Sequence, residues 1–214
     1  MQEGAVGGAG FADHQRQIAA ANQKRLGDAA LRGLKFDPLA PTGGQAGKAV
    51  WIPFSYLNQV FWRYDAASGA YLRYQDNADG KTFALATDRL NNQPLTYENV
   101  IILFANHKVY RPTLIDLDLL YMPKMPALLF RDGQAYPIYW TTKSEAYEVS
   151  TGKLRPIRFI DAQGNPFPLK PGQTWVEIVP QFTPYFETVD ADYLQMRSVK
   201  QPGSGVWTVN FSAP

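Results

Sequence analysis

The chain has 214 residues, with 21 Lys and Arg against 19 Asp and Glu, two His and no Cys. The lack of Cys excludes disulfides, thiol catalysis, zinc–thiolate sites and a lipid-modified Cys within these residues, and the net charge of +2 removes the electrostatic ground for non-specific binding to nucleic acid. A hydrophobic content of 45% with only 19% charged residues argues against disorder and for a domain that buries about 70% of its extended surface.

The first ten residues, Met1 to Gly10, are glycine-rich and lack the basic and apolar regions of a signal peptide, so they read as a lead-in. Residues 11–26 read as a helix: Asp13 is placed to cap it, Ala19, Ala20 and Ala21 favour it, and Gly27 suits its end. Its apolar face, Ile18 and Leu26 with alanines, is thin, so the helix needs a partner surface. A second helical turn is expected over residues 28–34. Pro38, Pro41, Gly43, Gly44 and Gly47 then break regularity and mark a linker.

From Val50 the pattern changes to short β runs. Val50, Ile52, Phe54 and Tyr56 share one face of an extended segment, and Val60, Trp62 and Tyr64 one face of the next. Asp65 to Gly69 turns the chain back into Tyr71 to Tyr74. Residues 100–105 (Val-Ile-Ile-Leu-Phe-Ala) are apolar on both faces and predict a central strand covered on both sides. That is also the longest apolar run, far short of the roughly 20 residues a spanning helix needs, so no transmembrane segment is expected. Asp132-Gly133 between alternating flanks predicts a tight hairpin. Thr174 to Val179 reads as a further strand, and Trp207, Val209 and Phe211 as a last one. The expected fold is mainly β, an antiparallel sheet or sandwich-like domain with an N-terminal helix, divided as residues 1–48, 49–180 and 181–214.

Chemistry-bearing residues are sparse. Asp116 and Asp118, two apart, would project from one face of a strand, a spacing usable for acid/base hydrolysis or a hard cation. Plain alternation predicts instead that Ile115, Leu117 and Leu119 face the core while both carboxylates face water. His107 has no Gly-x-Ser-x-Gly elbow to serve, and two His without Cys make a zinc site improbable. Asp76 to Gly80 fails as a calcium loop, because Ala78 falls at a ligand position and Thr87 at the twelfth. No metal and no cofactor are therefore expected. Asp116, Asp118, Glu177 and His107 stand as weak catalytic candidates. The tryptophans Trp51, Trp62, Trp140 and Trp175, with tyrosines beside them, suit core packing, although exposed ones would stack on sugars or anchor a partner. Arg63 and Arg73, near Tyr64 and Tyr71, are expected to form a small polar patch with Asp65.

Six ordered stretches carry a resemblance: residues 61–74 (Phe-Trp-Arg-Tyr-Asp-Ala-Ala-Ser-Gly-Ala-Tyr-Leu-Arg-Tyr), 86–90, 98–103, 129–134 (Leu-Phe-Arg-Asp-Gly-Gln), 159–166 and 169–176 (Leu-Lys-Pro-Gly-Gln-Thr-Trp-Val). Over about residues 50 to 180 the chain resembles the C-terminal domain of the YerB-like bacterial lipoprotein family. The resemblance implies an envelope protein with a secretion or lipoprotein signal and a larger N-terminal domain, of which residues 1–48 would be the tail and whose missing part would pack on the first helix. It transfers no catalytic residue. Trp62, Tyr64, Asp65, Arg73 and Asp88 are the binding candidates, with Asp132 and Trp175 as further framework or binding positions. The function expected is a non-enzymatic, extracytoplasmic binding or scaffolding domain, with an envelope protein or cell-wall glycan as partner. The competing expectations are a glycan-acting enzyme using Asp116 with Glu177 or Asp118, and a subunit of a surface assembly.

Overall fold

Alternating residues in the first β region build a meander, and the rest of the chain adds strands on both sides of it. The computed structural model describes residues 33–111 and 114–211; the helix expected at 11–26 and most of the turn expected at 28–34 lie outside the described residues. In chain order the elements are β1 (Lys35–Phe36), β2 (Gln45–Ala46), β3 (Ala49–Ser55), β4 (Asn58–Asp65), β5 (Ala70–Asp76), β6 (Phe83–Leu85), β7 (Thr96–Tyr97), β8 (Asn99–Arg111) and β9 (Leu114–Asp118). Then follow β10 (Met125–Arg131), β11 (Gln134–Thr141), α1 (Glu145–Thr151), β12 (Arg158–Ile160), β13 (Pro168–Leu169), β14 (Thr174–Pro180), β15 (Tyr185–Glu187), α2 (Tyr193–Ser198) and β16 (Val206–Val209). The fold is mainly β.

Turn chemistry fixes the local pairings. Asp65 accepts hydrogen bonds from the Ser68 amide at 2.9 Å and hydroxyl at 2.6 Å, which closes the β4–β5 turn. Between β10 and β11, Asp132 (φ 54°) and Gly133 (φ 70°) both adopt the left-handed conformation that a two-residue hairpin of this twist requires. A Cβ on Gly133 would also sit 2.9 Å from the Tyr64 ring, so only glycine lets that ring close over the turn.

Two seven-stranded sheets result. One runs β12-β11-β10-β8-β14, with β9 continuing along β8 and β2 beside β11; the other runs β15-β16-β3-β4-β5-β6, with β7 beside β5. Most pairs are antiparallel, but β14 runs parallel to β8 and β16 parallel to β3. The strand pairings cross both expected boundaries. β2, before residue 49, pairs with β11, and β16, after residue 180, pairs with β3, where the Trp207 indole N–H donates to the Ala46 carbonyl at 2.8 Å.

The sheets face each other across a core of Val50, Ile52, Trp62 and Tyr71 from one and Val100, Ile102, Phe104, Leu128 and Phe130 from the other. The intervening residues of β8, Ile101, Leu103 and Ala105, point the opposite way, into an outer layer with Leu129, Ile138 and Trp140 that Leu34, Phe167 and Leu169 help cover. β8 is therefore the spine that its two-sided apolar sequence predicts, each large side chain contributing about 1.5–3 kcal/mol by burial.

Candidate functional site

Trp62 lies mid-strand in β4, and alternation with Val60 and Tyr64 sends it inward, where it is completely buried. Arg73 stands directly opposite it on β5, so both side chains share the inner face. From the facing sheet, Trp175 and Glu177, two apart on β14, arrive on one face. Tyr97 of β7 completes the group. The three rings form a triangle: Trp62 to Tyr97 5.5 Å, Trp62 to Trp175 5.6 Å and Tyr97 to Trp175 5.2 Å between centroids. The Arg73 guanidinium lies over two of them, 5.1 Å from Trp175 and 5.8 Å from Trp62, within the range of cation–π attraction.

One carboxyl enters this box. Glu177 accepts from the Trp62 indole N–H at 3.3 Å. Burial raises its pKa, and the charge of Arg73 and the Trp62 hydrogen bond only partly oppose that. Arg73 donates to Gln75 at 2.8 Å through Nη2, whereas its Nε has no hydrogen-bond partner. The indole N–H of Trp175 also points at the carboxyl and helps lower its pKa, but from beyond full hydrogen-bonding geometry. Arg73, Tyr97 and Trp175 are only half-buried, so the box has a rim reachable from solvent. Aromatic faces beside a cation suit it to stacking on a polar ring.

The structure thus unites Trp62, Arg73, Trp175 and Glu177 and separates the remaining candidates. Arg63 is opposite Leu72, on the outer face of the sheet, where it forms a bidentate pair with Asp190 at 3.0 and 3.2 Å. The expected patch of Arg63, Arg73 and Asp65 does not form, because residues adjacent in a strand point to opposite faces. Tyr64 packs on Tyr71 with centroids 5.3 Å apart. Asp65 is spent on its turn, and the Ser68 bonds lower its pKa. Asp88 likewise accepts from the Leu90 amide at 2.7 Å within a turn. Asp132 bridges Arg131 at 2.9 Å and Lys170 at 2.7 Å.

His107 sits where β8 leaves the body of the sheet, its Nδ1 3.0 Å from the Ala105 carbonyl. Beyond it β8 and β9 continue as a two-stranded ribbon on which Asp116 faces Lys108 and Asp118 faces Asn106. Alternation assigns the faces correctly but not the environment. Ile115 and Leu117 are 44% and 39% exposed, because the ribbon runs past the end of the core; Leu119 alone of the three packs on the outer layer. Glu177 is level with Ile102 on β8, and the nearer ribbon carboxylate is level with Asn106, a separation of about 13 Å at strand rise. Asp116 and Glu177 are not brought together. Among the described residues no group of three His, Asp or Glu is placed to hold a metal ion.

Sequence reasoning missed Tyr97, which lies on a two-residue strand too short for any periodic signal. It also missed a cavity of about 150 Å³ under α2, between Phe61, Phe83, Tyr193 and Met196 and rimmed by Arg63 and Lys81.

The family profile described as "Protein of unknown function (DUF3048) C-terminal domain" matches residues 50–176. A curated relative, "Putative lipoprotein YerB" of Bacillus subtilis (strain 168), is 28% identical over 124 residues, 58% of this chain and 32% of its own length. The chain thus spans about a third of that relative. The crystal structure of YerB from Bacillus subtilis aligns with 25% identity and a TM-score of 0.49, covering 69% of this chain and 43% of the other. Among the described residues no helix is long and apolar enough to cross a membrane.

Proposed function

The chain belongs to the DUF3048 family, whose C-terminal domain it carries at residues 50–176, and on that premise we propose that it is a non-enzymatic, extracytoplasmic binding domain of a bacterial cell-envelope protein that recognises cell-wall glycan. The name of its relative, "Putative lipoprotein YerB", supports the envelope. The observation that carries binding is the box of Trp62, Tyr97 and Trp175 with Arg73 over two of its rings. The half-buried faces of Tyr97 and Trp175 beside a cation suit a sugar ring bearing polar or anionic substituents.

Hydrolysis by a carboxyl pair needs two such groups about 5–10 Å apart. Glu177 has an indole, a guanidinium and aromatic rings as its neighbours in the box. The observation that favours the enzymatic reading is the raised pKa of this same carboxyl, a property of general acids.

Co-sedimentation with purified peptidoglycan separates the two. Binding is expected without release of new reducing ends, and Tyr97→Ala, at the rim, is expected to weaken it at least tenfold while leaving the circular dichroism spectrum unchanged. Release of reducing ends abolished by Glu177→Gln would establish the enzyme instead. Absence of binding would remove the glycan.

A further inference from the structure

Trp62 points inward from β4, so its neighbours in the strand, Phe61 and Arg63, point outward. On that outer face Phe61 meets Phe83 of β6 with centroids 6.0 Å apart, and Trp51 of β3 meets Tyr193 of α2 edge-on at 6.5 Å. The cover is short. α2 has six residues, about 9 Å of helix, and buries Met196 alone. It underfills the face, and a cavity of about 150 Å³ remains between Phe61, Phe83, Tyr193 and Met196. Both ends of α2 are pinned. The Asp192 carboxylate accepts from the Leu194 and Gln195 amides at 3.1 and 3.2 Å, and Asn210 donates to the Arg197 carbonyl at 3.0 Å. Arg63, over the Phe61 ring at 5.1 Å, is bidentate to Asp190 just before the helix. These bonds hold the space open.

Size and lining select what fits. An apolar-walled cavity of about 150 Å³ holds one benzene-sized ring. Three aromatic side chains and a thioether favour an aromatic ring over an aliphatic one, through edge-on ring contacts and sulfur–ring contacts. The same walls exclude a pyranose, whose hydroxyls turned toward Phe61, Phe83 and Met196 would lose water without gaining a partner.

Charge at the rim selects further. Of the charged residues that line the cavity, Asp190 is engaged by Arg63, and Asp192 by the start of α2 and by the Gln195 side chain at 2.9 Å. Asp79, in the same turn as Lys81, accepts from the Lys81 and Thr82 amides at 2.8 and 2.7 Å. The Lys81 ammonium has no hydrogen-bond or ion-pair partner among the described residues. It is the uncommitted cation at the mouth of an aromatic cavity, and its counterpart is an anion carried by the ring. We propose that this cavity binds a small monocyclic aromatic carboxylate, with the ring under α2 and the carboxylate at Lys81. The site is independent of the box around Trp62, because Phe61 and Trp62 face opposite sides of the sheet.

Methionine is scarce in the chain, with four residues, so methyl NMR of the full chain labelled with ¹³C-methyl methionine reads the cavity directly through Met196. Benzoate is the probe, and benzamide, of the same shape without the charge, is the control. Benzoate is expected to shift the Met196 methyl saturably, with a dissociation constant of about 1 mM, while Met122 and Met125 stay in place. Benzamide is expected to bind about fivefold more weakly, the worth of one exposed ion pair. Lys81→Met, at an exposed position, is expected to bring benzoate down to the level of benzamide and to leave benzamide unchanged. An unmoved Met196 methyl, or shifts of equal size at Met122 and Met125, would overturn the cavity as a binding site. Equal affinity for benzoate and benzamide, or full benzoate affinity in Lys81→Met, would overturn the recognition of the carboxylate and with it the proposal.

Discussion

Two polar clusters cross between the sheets, and they differ in how completely they are paired. In the first, the fully buried Arg131 donates to Asp132 at 2.9 Å and to the carbonyls of Pro168 and Pro38 at 3.2 and 3.4 Å. Asp132 also meets Lys170, whose Nζ donates to Gly69 O at 2.7 Å, and the Asn99 side chain exchanges bonds of 2.8 Å with the Lys170 backbone. In the second, Trp62 and Glu177 are bonded, but Arg73 Nε and the Trp175 indole N–H are not. A buried donor without a partner costs about 1–3 kcal/mol. The first cluster is framework that holds the β4–β5 turn, the β10–β11 hairpin and the segment around β13 together; the second leaves two N–H donors unpaired, the difference on which the proposed binding role can be tested.

Removing charge from the framework cluster is the strongest way to test that contrast. Asp132→Asn keeps a residue tolerant of positive φ but leaves Arg131 buried without its counter-ion, a loss of about 3 kcal/mol or more in urea unfolding. A loss below about 1 kcal/mol would mean that the guanidinium is held by the carbonyls alone. In the other cluster, Trp62→Phe keeps a ring against Tyr97 and Trp175 but deletes the N–H to Glu177; about 2 kcal/mol is expected from the lost bond and the smaller ring together. Arg73→Met is expected to cost under about 1 kcal/mol, since its Nε is unpaired, yet to push the Glu177 pKa further up, because Arg73 is the largest influence lowering it. An unchanged Glu177 titration, followed by carboxyl ¹³C NMR, would remove Arg73 as its electrostatic partner.

The framework was more legible than the site, for physical reasons. Asp132-Gly133, the β3–β4–β5 meander and the two-sided spine at Val100 to Ala105 are local patterns of turn chemistry and period two. Period two also sets which face a residue occupies, and the parity of cross-strand pairs separates Arg63 from Arg73. It does not say which strand lies beside which, so the parallel pairing of β14 with β8 and of β16 with β3 left no trace in the sequence. Nor does it say where the core ends: Ile115 and Leu117 alternate as core residues do, on a ribbon that has left the core. Trp62 and Glu177 are 115 residues apart, and only the stacking of two sheets brings them together.

The two kinds of acidic residue in the molecule carry opposite pH signatures, which gives the smallest effect and the most specific one. Asp79 is held at about 2 by bonds from Thr82 and Lys81, and Asp65 and Asp161 are lowered by their turns. The folded state binds fewer protons at these sites than the unfolded chain does, so their stabilisation is present above the ordinary value of 3.8 and is lost as pH falls toward 2. Glu177 is raised by burial. The folded state holds its proton more tightly than the unfolded chain, so the stability it contributes is full below the ordinary value of 4.5 and declines as pH rises through its higher folded pKa. Stability should therefore climb from pH 2 to about 4 and then slope down. Glu177→Gln, which cannot ionise, should flatten the upper limb and leave the lower one intact, making the variant relatively more stable at pH 7 than at pH 4. Urea midpoints at pH 3, 5 and 7 measure this, and parallel profiles for the two proteins above pH 4.5 would mean that Glu177 is solvated and that the box is open to water rather than reserved for a ligand.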